Sequence, residues 1–478
     1  MKKVLFVTSE AHPLIKTGGL ADVAGSLPKA LTELGQDVRL VMPNYQAINL
    51  SNQDKTYRST IRINNRDINI FETILPDSNV PVLLLDCPEL FGAPGNPYLD
   101  ENGLPWENIA ERFAVFGRAA TVIAMNRAEL DWKPDIVHCN DWQSGLVPAL
   151  LSLDEQPPKC VFTIHNLAYQ GLFPASEFKA LNLPSQLWNP EGLEFHEMLS
   201  FIKGGLSFAN RITTVSPTYA LEIQTTEFGY GLEGLLSHYQ DILSGIINGI
   251  DMQDWNPKTD PYLHKTYDEK SLNDKLTNKT ELQKQLNLPV NAEIPLFGLV
   301  SRLVQQKGID LLLEILPDLM KYPIQIALLG SGDTSLERDL KRFSRLYPEK
   351  VSVTIGYDEQ LSHRIEAGID VFMMPSRFEP CGLNQMYSQR YGTIPIVRHT
   401  GGLADTVIDA MPENLANNSA TGIIFNEASA GSLMEAIKRT LIIFSDKKHW
   451  QSMQKTAMKK DFSWQMSAKQ YLALYESM

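Results

Sequence analysis

Short apolar runs alternate with segments of helical periodicity along almost the whole chain. The first run, Val4-Leu5-Phe6-Val7, ends at Thr8-Ser9-Glu10. A glycine loop then leads into a helical pattern over 22–34, which Gly35 stops, and a second apolar run covers 38–42. Strand, helix and strand in that order make a βαβ unit, the mark of a doubly wound parallel sheet. Further strands of the first half are expected at 82–85, 136–139, 161–164 and 212–215. The rhythm breaks near 249–257. It restarts with a strand at 296–300, a helix at 309–320, and strands at 324–329, 351–355, 371–374 and 394–397. The pattern predicts an α/β protein of two domains, 1–248 and 249–461. A helical segment follows over 462–478, with Trp464, Tyr471, Leu472 and Leu474 carrying its periodicity. That segment can belong to either domain.

Composition narrows the function classes. The 478 residues suffice for two or three domains, each with its own core. A formal net charge of -13 speaks against a nucleic-acid partner, which needs a basic surface to neutralise phosphates. Local Arg and Lys residues can still hold a small phosphate-bearing ligand. The four cysteines, Cys87, Cys139, Cys160 and Cys381, form no Cys-x-x-Cys pair, so zinc-ribbon and thioredoxin readings fail. Scattered cysteines fit a reducing compartment. The first apolar run is shorter than the roughly 7–15 residues of a secretory signal. No stretch approaches the roughly 20 apolar residues of a membrane span. A cytoplasmic enzyme without a membrane partner is expected.

The chemistry-bearing residues cluster at predicted strand ends. Lys16-Thr17-Gly18-Gly19-Leu20 places a lysine beside a glycine loop, where it can meet a sugar hydroxyl or a phosphate, or stand solvated. The hexapeptide at 17–22 recurs at 400–405, each copy following a strand and preceding a helix. Both read as strand–helix turns, a reading that does not exclude an anion site. Ser301-Arg302-Leu303 and Gln305-Gln306-Lys307-Gly308 offer two cations that can converge on a diphosphate or flank a helix. In Pro375-Ser376-Arg377-Phe378-Glu379-Pro380-Cys381-Gly382-Leu383-Asn384 a strand end runs into a helix starting near Leu383. The backbone N–H groups of Gly382, Leu383 and Asn384 point at an anion there. Glu379 suits neutral sugar hydroxyls better than phosphate, and Cys381 reads as a small packed residue. His138-Cys139-Asn140-Asp141-Trp142-Gln143 and Thr163-Ile164-His165-Asn166 end two strands of the first half. A single His is more often a satisfied core group, but two polar and aromatic strand ends can line one cleft.

Taken together, these motifs resemble the bacterial glycogen synthase and plant starch synthase family over nearly the whole chain. His165-Asn166-Leu167-Ala168-Tyr169-Gln170-Gly171, Phe228-Gly229-Tyr230-Gly231 and Trp255-Asn256-Pro257 also fit, and the segment from Ser376 to Leu383 is the most specific. The resemblance implies the GT-B fold, two Rossmann-like domains facing across a deep cleft, with the C-terminal helix crossing back to the first. It implies retaining transfer of glucose from ADP-glucose to the non-reducing end of an α-1,4-glucan, with no metal and no cofactor. Residues 1–248 would then hold the acceptor and 249–461 the donor. Arg302 and Lys307 would bind the diphosphate, and Glu379 the glucose hydroxyls. His165 would hold the 6-hydroxyl near the anomeric carbon, with Asp141 on the acceptor side. Lys16, Gly18, Gly19, Asn248, Cys381, Gly382, Leu383 and Asn384 would touch the donor, with Tyr357 stacked on adenine. The chain departs from the family pattern at Asn140 and Gln143, where histidines are usual, and at Asn384, where threonine is common.

Three rival classes remain. A nicotinamide dehydrogenase needs a Gly-x-Gly-x-x-Gly fingerprint that is missing where expected. A glucan phosphorylase needs a pyridoxal-binding lysine. A non-catalytic glucan-binding protein has no use for a full set of donor residues.

Overall fold

Val4, Leu5, Phe6 and Val7 have no solvent exposure, as a strand covered by helices on both faces requires. The computed structural model describes residues 1–48, 50 and 55–478. They form two compact units, Met1–Gly249 with Trp464–Met478, and Ile250–Ser463.

Among the described residues the main sheet of the first unit has nine strands. From edge to edge they are Leu243–Gly245, Arg211–Thr214, Lys159–Ile164, Ile136–Asn140, Lys3–Val7, Asp37–Pro43, Pro81–Asp86, Arg66–Ile74 and Thr56–Ile63. The first seven are parallel. The last two are an antiparallel hairpin added to the edge. Its turn is Asn64-Asn65, with φ of 47° and 65°, the left-handed pair that a two-residue hairpin turn demands. Thr56–Ile63 alternates exposed and buried positions, so it lacks the continuous apolar run that marks the other strands. A small second sheet joins Leu172–Pro174, Met198–Ser200 and Glu194–Phe195.

The sheet of the second unit is all parallel, in the order Val351–Ile355, Gln325–Gly330, Leu296–Val300, Val371–Met374, Ile394–Arg398, Ile423–Phe425. Numbered along the chain this is the doubly wound order 3-2-1-4-5-6, which reverses between its first and fourth strands. The parallel strands of the first unit follow the same scheme, reversing between Lys3–Val7 and Ile136–Asn140. Ligands of such sheets sit beyond the carboxyl ends of the strands at the reversal. The four loops there carry Lys16–Gly19, Asp141, Arg302–Lys307 and Ser376–Asn384.

The terminal helix Trp464–Glu476 completes the first unit. It packs on helix Gly19–Glu33 and buries Trp464, Ala468, Tyr471 and Tyr475. Ser467 Oγ donates to the Ile247 carbonyl at 2.6 Å. No helix among the described residues is long and apolar enough to cross a membrane.

Candidate active site

In the second unit, two loops are stitched into one wall. The Arg377 N–H donates to the Gln306 carbonyl at 2.8 Å, and Arg377 pairs with Asp310. Gly308 has φ of 68°, and a Cβ there would lie 2.0 Å from the Pro375 carbonyl oxygen, so the approach needs glycine. Between these loops is a cavity of about 200 Å³, lined by Arg302, Lys307, Ser376, Glu379, Gly382, Leu383 and Asn384 among others. Lys307 Nζ lies 2.5 Å from Glu379 Oε2, and Ser376 Oγ donates to the same oxygen at 2.9 Å. Both partners are largely buried, so the pair is a fixed feature of the cavity. Arg302 is exposed and, among the described residues, has no carboxylate partner. Asn384 Nδ2 donates to the Val300 carbonyl at 2.6 Å. The amide thereby ties the helix Asn384–Arg390 to the central strand, a bond that a threonine cannot donate in the same form. Tyr357 follows Gly356 (φ 132°) and is 83% exposed.

The second copy of the repeated hexapeptide lies directly behind this wall. Its glycines are buried. The Gly402 N–H donates to the carbonyls of Glu379 and Pro380 at 3.2 and 3.1 Å. A Cβ on Gly401 would fall 2.0 Å from the Glu379 carbonyl oxygen, and one on Gly402 2.1 Å from that of Cys381. Cys381 itself is buried.

The first copy faces open space. Gly18 and Gly19 are exposed, and a Cβ on either would meet nothing within 4 Å. The loop is anchored instead by its threonine. The Thr17 N–H and hydroxyl both donate to Glu10 Oε2 at 2.6 Å. Lys16 pairs with Asp22 at 2.7 Å. Tyr98 donates to Glu10 Oε1 at 3.3 Å and sits within 2.9 Å of Ser9 Oγ and 3.1 Å of Gln143 Nε2. Burial pushes the Glu10 carboxyl up, against the Thr17 donors that lower it.

Asp141 is buried at the adjoining strand end, with φ of 53°, a backbone strain that costs about 1–3 kcal/mol. Its Oδ1 accepts the His165 N–H at 2.7 Å. Burial raises its pKa to about 7; the His165 and Asn166 amides lower it, and Glu10 adds a small upward push. His165 Nε2 is 2.9 Å from Asn140 Oδ1. The Asn140 amide nitrogen donates to the Val7 and His138 carbonyls, so its oxygen faces the imidazole. That places the proton on Nε2 and leaves Nδ1 an acceptor. Burial lowers the His165 pKa to about 3, so the ring is neutral. His138 is a core group: its nitrogens meet the Tyr475 hydroxyl and Thr163 Oγ1, each at 2.6 Å. Asn248 is buried, and among the described residues its Oδ1 has no hydrogen-bond partner.

The structure thus gathers Arg302, Lys307, Glu379, Gly382, Leu383 and Asn384 around one cavity of the second unit. It gathers Lys16, Gly18, Gly19, Asp141 and His165 at the reversal of the first. Sequence reasoning missed Glu10 and Tyr98; nothing local to either residue reports that they are hydrogen-bonded to each other. The residues that depart from the family pattern have internal work: Asn140 fixes the His165 tautomer, and Gln143 holds Tyr98. Among the described residues no cluster of three or more His, Cys, Asp or Glu is placed to hold a metal ion.

Comparison with known proteins adds a family to this geometry. Residues 3–238 match the family model for the starch synthase catalytic domain, and 278–460 that for glycosyl transferases group 1. The chain is 54% identical over 473 residues to glycogen synthase 1 of Methylococcus capsulatus, covering 99% of this chain and 96% of the relative. It is 51% identical to the glycogen synthase of Cellvibrio japonicus, with full coverage of both. A solved structure of the catalytic domain of starch synthase IV from Arabidopsis thaliana, bound to ADP and acarbose, superposes with a TM-score of 0.89 at 33% identity, covering 100% of this chain and 99% of that one. With two doubly wound units of GT-B type and this agreement from end to end, the chain belongs to the bacterial glycogen synthase and starch synthase family of glycosyltransferases.

Proposed function

We propose the following division of labour for the family reaction, transfer of glucose from ADP-glucose to the non-reducing end of an α-1,4-glucan with retention at the anomeric carbon. Arg302 and Lys307 hold the diphosphate, with the N–H groups of Gly382, Leu383 and Asn384 beside them. As the bond from C1 to phosphate oxygen breaks, its electron pair leaves with ADP. The two cations stabilise that charge, a role worth about 2.7–4 kcal/mol per donor in comparable sites. The acceptor oxygen bonds C1, and its proton passes to the departing phosphate oxygen of ADP.

Glu379 holds glucose hydroxyls, since a carboxylate beside phosphate is repelled unless it binds neutral groups. Neutral His165 offers Nδ1 to the 6-hydroxyl and adds no positive charge near a carbon that becomes cationic. Asp141 orients the acceptor. Lys16, Gly18, Gly19 and Asn248 contact the donor, as does the Cys381 backbone. Tyr357 stacks on adenine. Oligomeric state plays no part in this reading.

The observation that carries it is the Lys307–Glu379 pair in the second-unit cavity, with Arg302 on the same wall: cations for phosphate next to a carboxylate for sugar. The test is glucose transfer to maltoheptaose with ADP-glucose and UDP-glucose side by side, with and without EDTA. A clear ADP-glucose preference, insensitive to EDTA, is expected. Equal turnover with UDP-glucose overturns the donor reading. Loss of activity in EDTA that magnesium restores overturns the metal-free one.

A further inference from the structure

The motif Trp255-Asn256-Pro257 has no part in the chemistry described so far. It lies in 251–271, close to the start of the second unit, a stretch that forms no helix or strand. An irregular run of that length is uncommon inside a compact domain unless it has a task. Its side chains grip one element, the helix Asn384–Arg390 and the residue that ends it, Tyr391.

That helix needs the grip. Seven residues make about two turns, too short to persist on helix propensity alone. Leu383 stands at its N-cap and supplies no side-chain hydrogen bond. The first turn is therefore uncapped beside the cavity that Gly382, Leu383 and Asn384 line. What holds the helix must come from outside it.

Trp255 supplies the middle contact. Its indole is nearly parallel to the Tyr387 ring, 3.8 Å between centroids at 11°, and to the imidazole of His363, 3.9 Å at 13°. Two rings that close cannot share one face, so the indole is sandwiched between them. Asn256 Oδ1 accepts from Arg390 Nη2 at 3.2 Å, and the Tyr267 hydroxyl donates to the Tyr391 carbonyl at 2.8 Å. Oδ2 of buried Asp260 accepts the Tyr391 hydroxyl and lies 2.8 Å from His363 Nδ1. Burial pushes the Tyr391 hydroxyl up, and Asp260 pushes it further, so the phenol keeps its proton and stays a donor. His363, on helix Glu359–Gly368, closes the circuit: it backs the indole and meets the side chain that holds the helix end.

The gripped positions are 387, 390 and 391, spaced by three and four along one face of the helix. Asn384 stands three residues before Tyr387, on the same face, with its amide on the Val300 carbonyl and its side in the cavity wall. In so short a helix, a displacement of Tyr387 reaches Asn384 within one turn.

We infer that Trp255, Asp260 and His363 are positioning residues for the donor: acting through Tyr387 and Tyr391, they set the helix so that its first turn meets the donor phosphates. The inference rests on the donor-site reading above.

Calorimetric ADP titration, the KM of donor and acceptor, and amide hydrogen exchange test it on the full chain, at a temperature where every variant is fully folded. Trp255→Leu removes the stack, and Tyr391→Phe removes the bond to Asp260. Each is expected to weaken ADP binding and raise the KM for ADP-glucose about tenfold, with the KM for maltoheptaose within about twofold. Amides of 387–391 should exchange about tenfold faster, and those of Val371–Met374 at the parent rate. Trp255→Phe, which keeps a flat ring between the other two, should stay within about twofold of the parent in ADP affinity and donor KM. A lowered melting temperature with unchanged ADP affinity and donor KM reduces the segment to a structural brace and overturns the inference. Should Trp255→Leu fail to fold, Tyr391→Phe, which deletes a single oxygen, is decided by the same readouts. If ADP affinity drops in Trp255→Leu but not in Lys307→Ala, the positioning role stands and the diphosphate assignment of Lys307 falls.

Discussion

Residues 17–22 and 400–405 are the same six amino acids, each opening a helix after a strand. In the fold they are not equivalent. The first copy follows the central strand Lys3–Val7, next to the reversal of strand order. The second follows Ile394–Arg398, the fifth strand of its sheet. By topology the counterpart of the first copy is the Arg302–Lys307 loop. One copy keeps its glycines bare and exposed; the other presses them against the backbone of Glu379 and Cys381. The same residue type stands open to solvent in one unit and packs closely in the other. The difference lies in what the rest of the chain brings within 3 Å.

The largest effect should come from filling the packed copy. Gly401→Ala adds a methyl group where backbone already stands, at a φ of 43°. Overpacking of about 1–3 kcal/mol and a left-handed non-glycine residue at about 1–2 kcal/mol sum to roughly 3 kcal/mol, or a melting drop of about 6–12 °C for a unit of this size. Because the Glu379 carbonyl must move, kcat should fall about 100-fold as well. A variant with normal melting and turnover would show that the second copy does not brace the Glu379 loop.

Next come Glu379, whose loop that copy packs against, and its ion-pair partner Lys307. If Lys307 faces the leaving charge as proposed, Lys307→Ala should lower kcat about 100-fold and weaken ADP binding. Glu379→Ala should lower kcat by a similar factor while leaving ADP affinity equal or better, because Lys307 is released from its 2.5 Å partner. Calorimetric titration with ADP separates the two. Near-normal kcat in Glu379→Ala, with only a lowered melting temperature, would reduce Glu379 to a structural carboxylate.

The bare copy should respond in the opposite currency. Gly18→Ala and Gly19→Ala have room for the methyl and an ordinary φ, so melting should stay within about 2 °C, consistent with the small stability effect of a tolerated Gly→Ala change. On the proposed reading the methyl instead occupies donor space, and the KM for ADP-glucose should rise about tenfold, the equivalent of roughly 1.4 kcal/mol. A large loss of stability without a change in KM would reverse the comparison.

The smallest effect concerns pH. Buried Asp141, held at about 7 in the folded chain, titrates near 3.9 when unfolded. The folded state therefore binds the extra proton, and this group's contribution to stability falls as pH rises until it levels off above 7. The stability of Asp141→Asn relative to the parent should grow by roughly 1–2 kcal/mol between pH 6 and 8. Denaturant melts at both pH values check it, and a constant difference would place the Asp141 pKa outside that window.

The parallel strands and the α/β class are legible because buried parallel strands write themselves as unbroken apolar runs, as in Val4 to Val7 and Leu296–Val300. The edge hairpin is not, since Thr56–Ile63 faces water at alternate positions, yet Asn64-Asn65 is a turn signal that a search for left-handed pairs would catch. At the site, Lys307 and Glu379 stand out as strand-end residues in a motif. Their 2.5 Å contact across 72 positions of sequence does not, and neither does the Glu10–Thr17–Tyr98 cluster. What separates the two hexapeptides is likewise long-range contact, which no local pattern encodes.

The helix Trp464–Glu476 has a consequence for how the molecule is born. Trp464 lies where a Cβ on Gly249 would collide with it at 2.6 Å, and Tyr475 supplies the partner of the buried His138 imidazole. The first unit is therefore begun before the second unit is synthesised and finished only after it. Throughout synthesis of the entire second unit, the groove on helix Gly19–Glu33 stands open, with His138 lacking its phenol and apolar surface waiting for a cover. A message cut short before Trp464 yields an apparently whole second unit attached to an unfinished first one, the kind of exposed surface that chaperones and proteases recognise. Completion of the first unit thus requires that the whole second unit has already been translated.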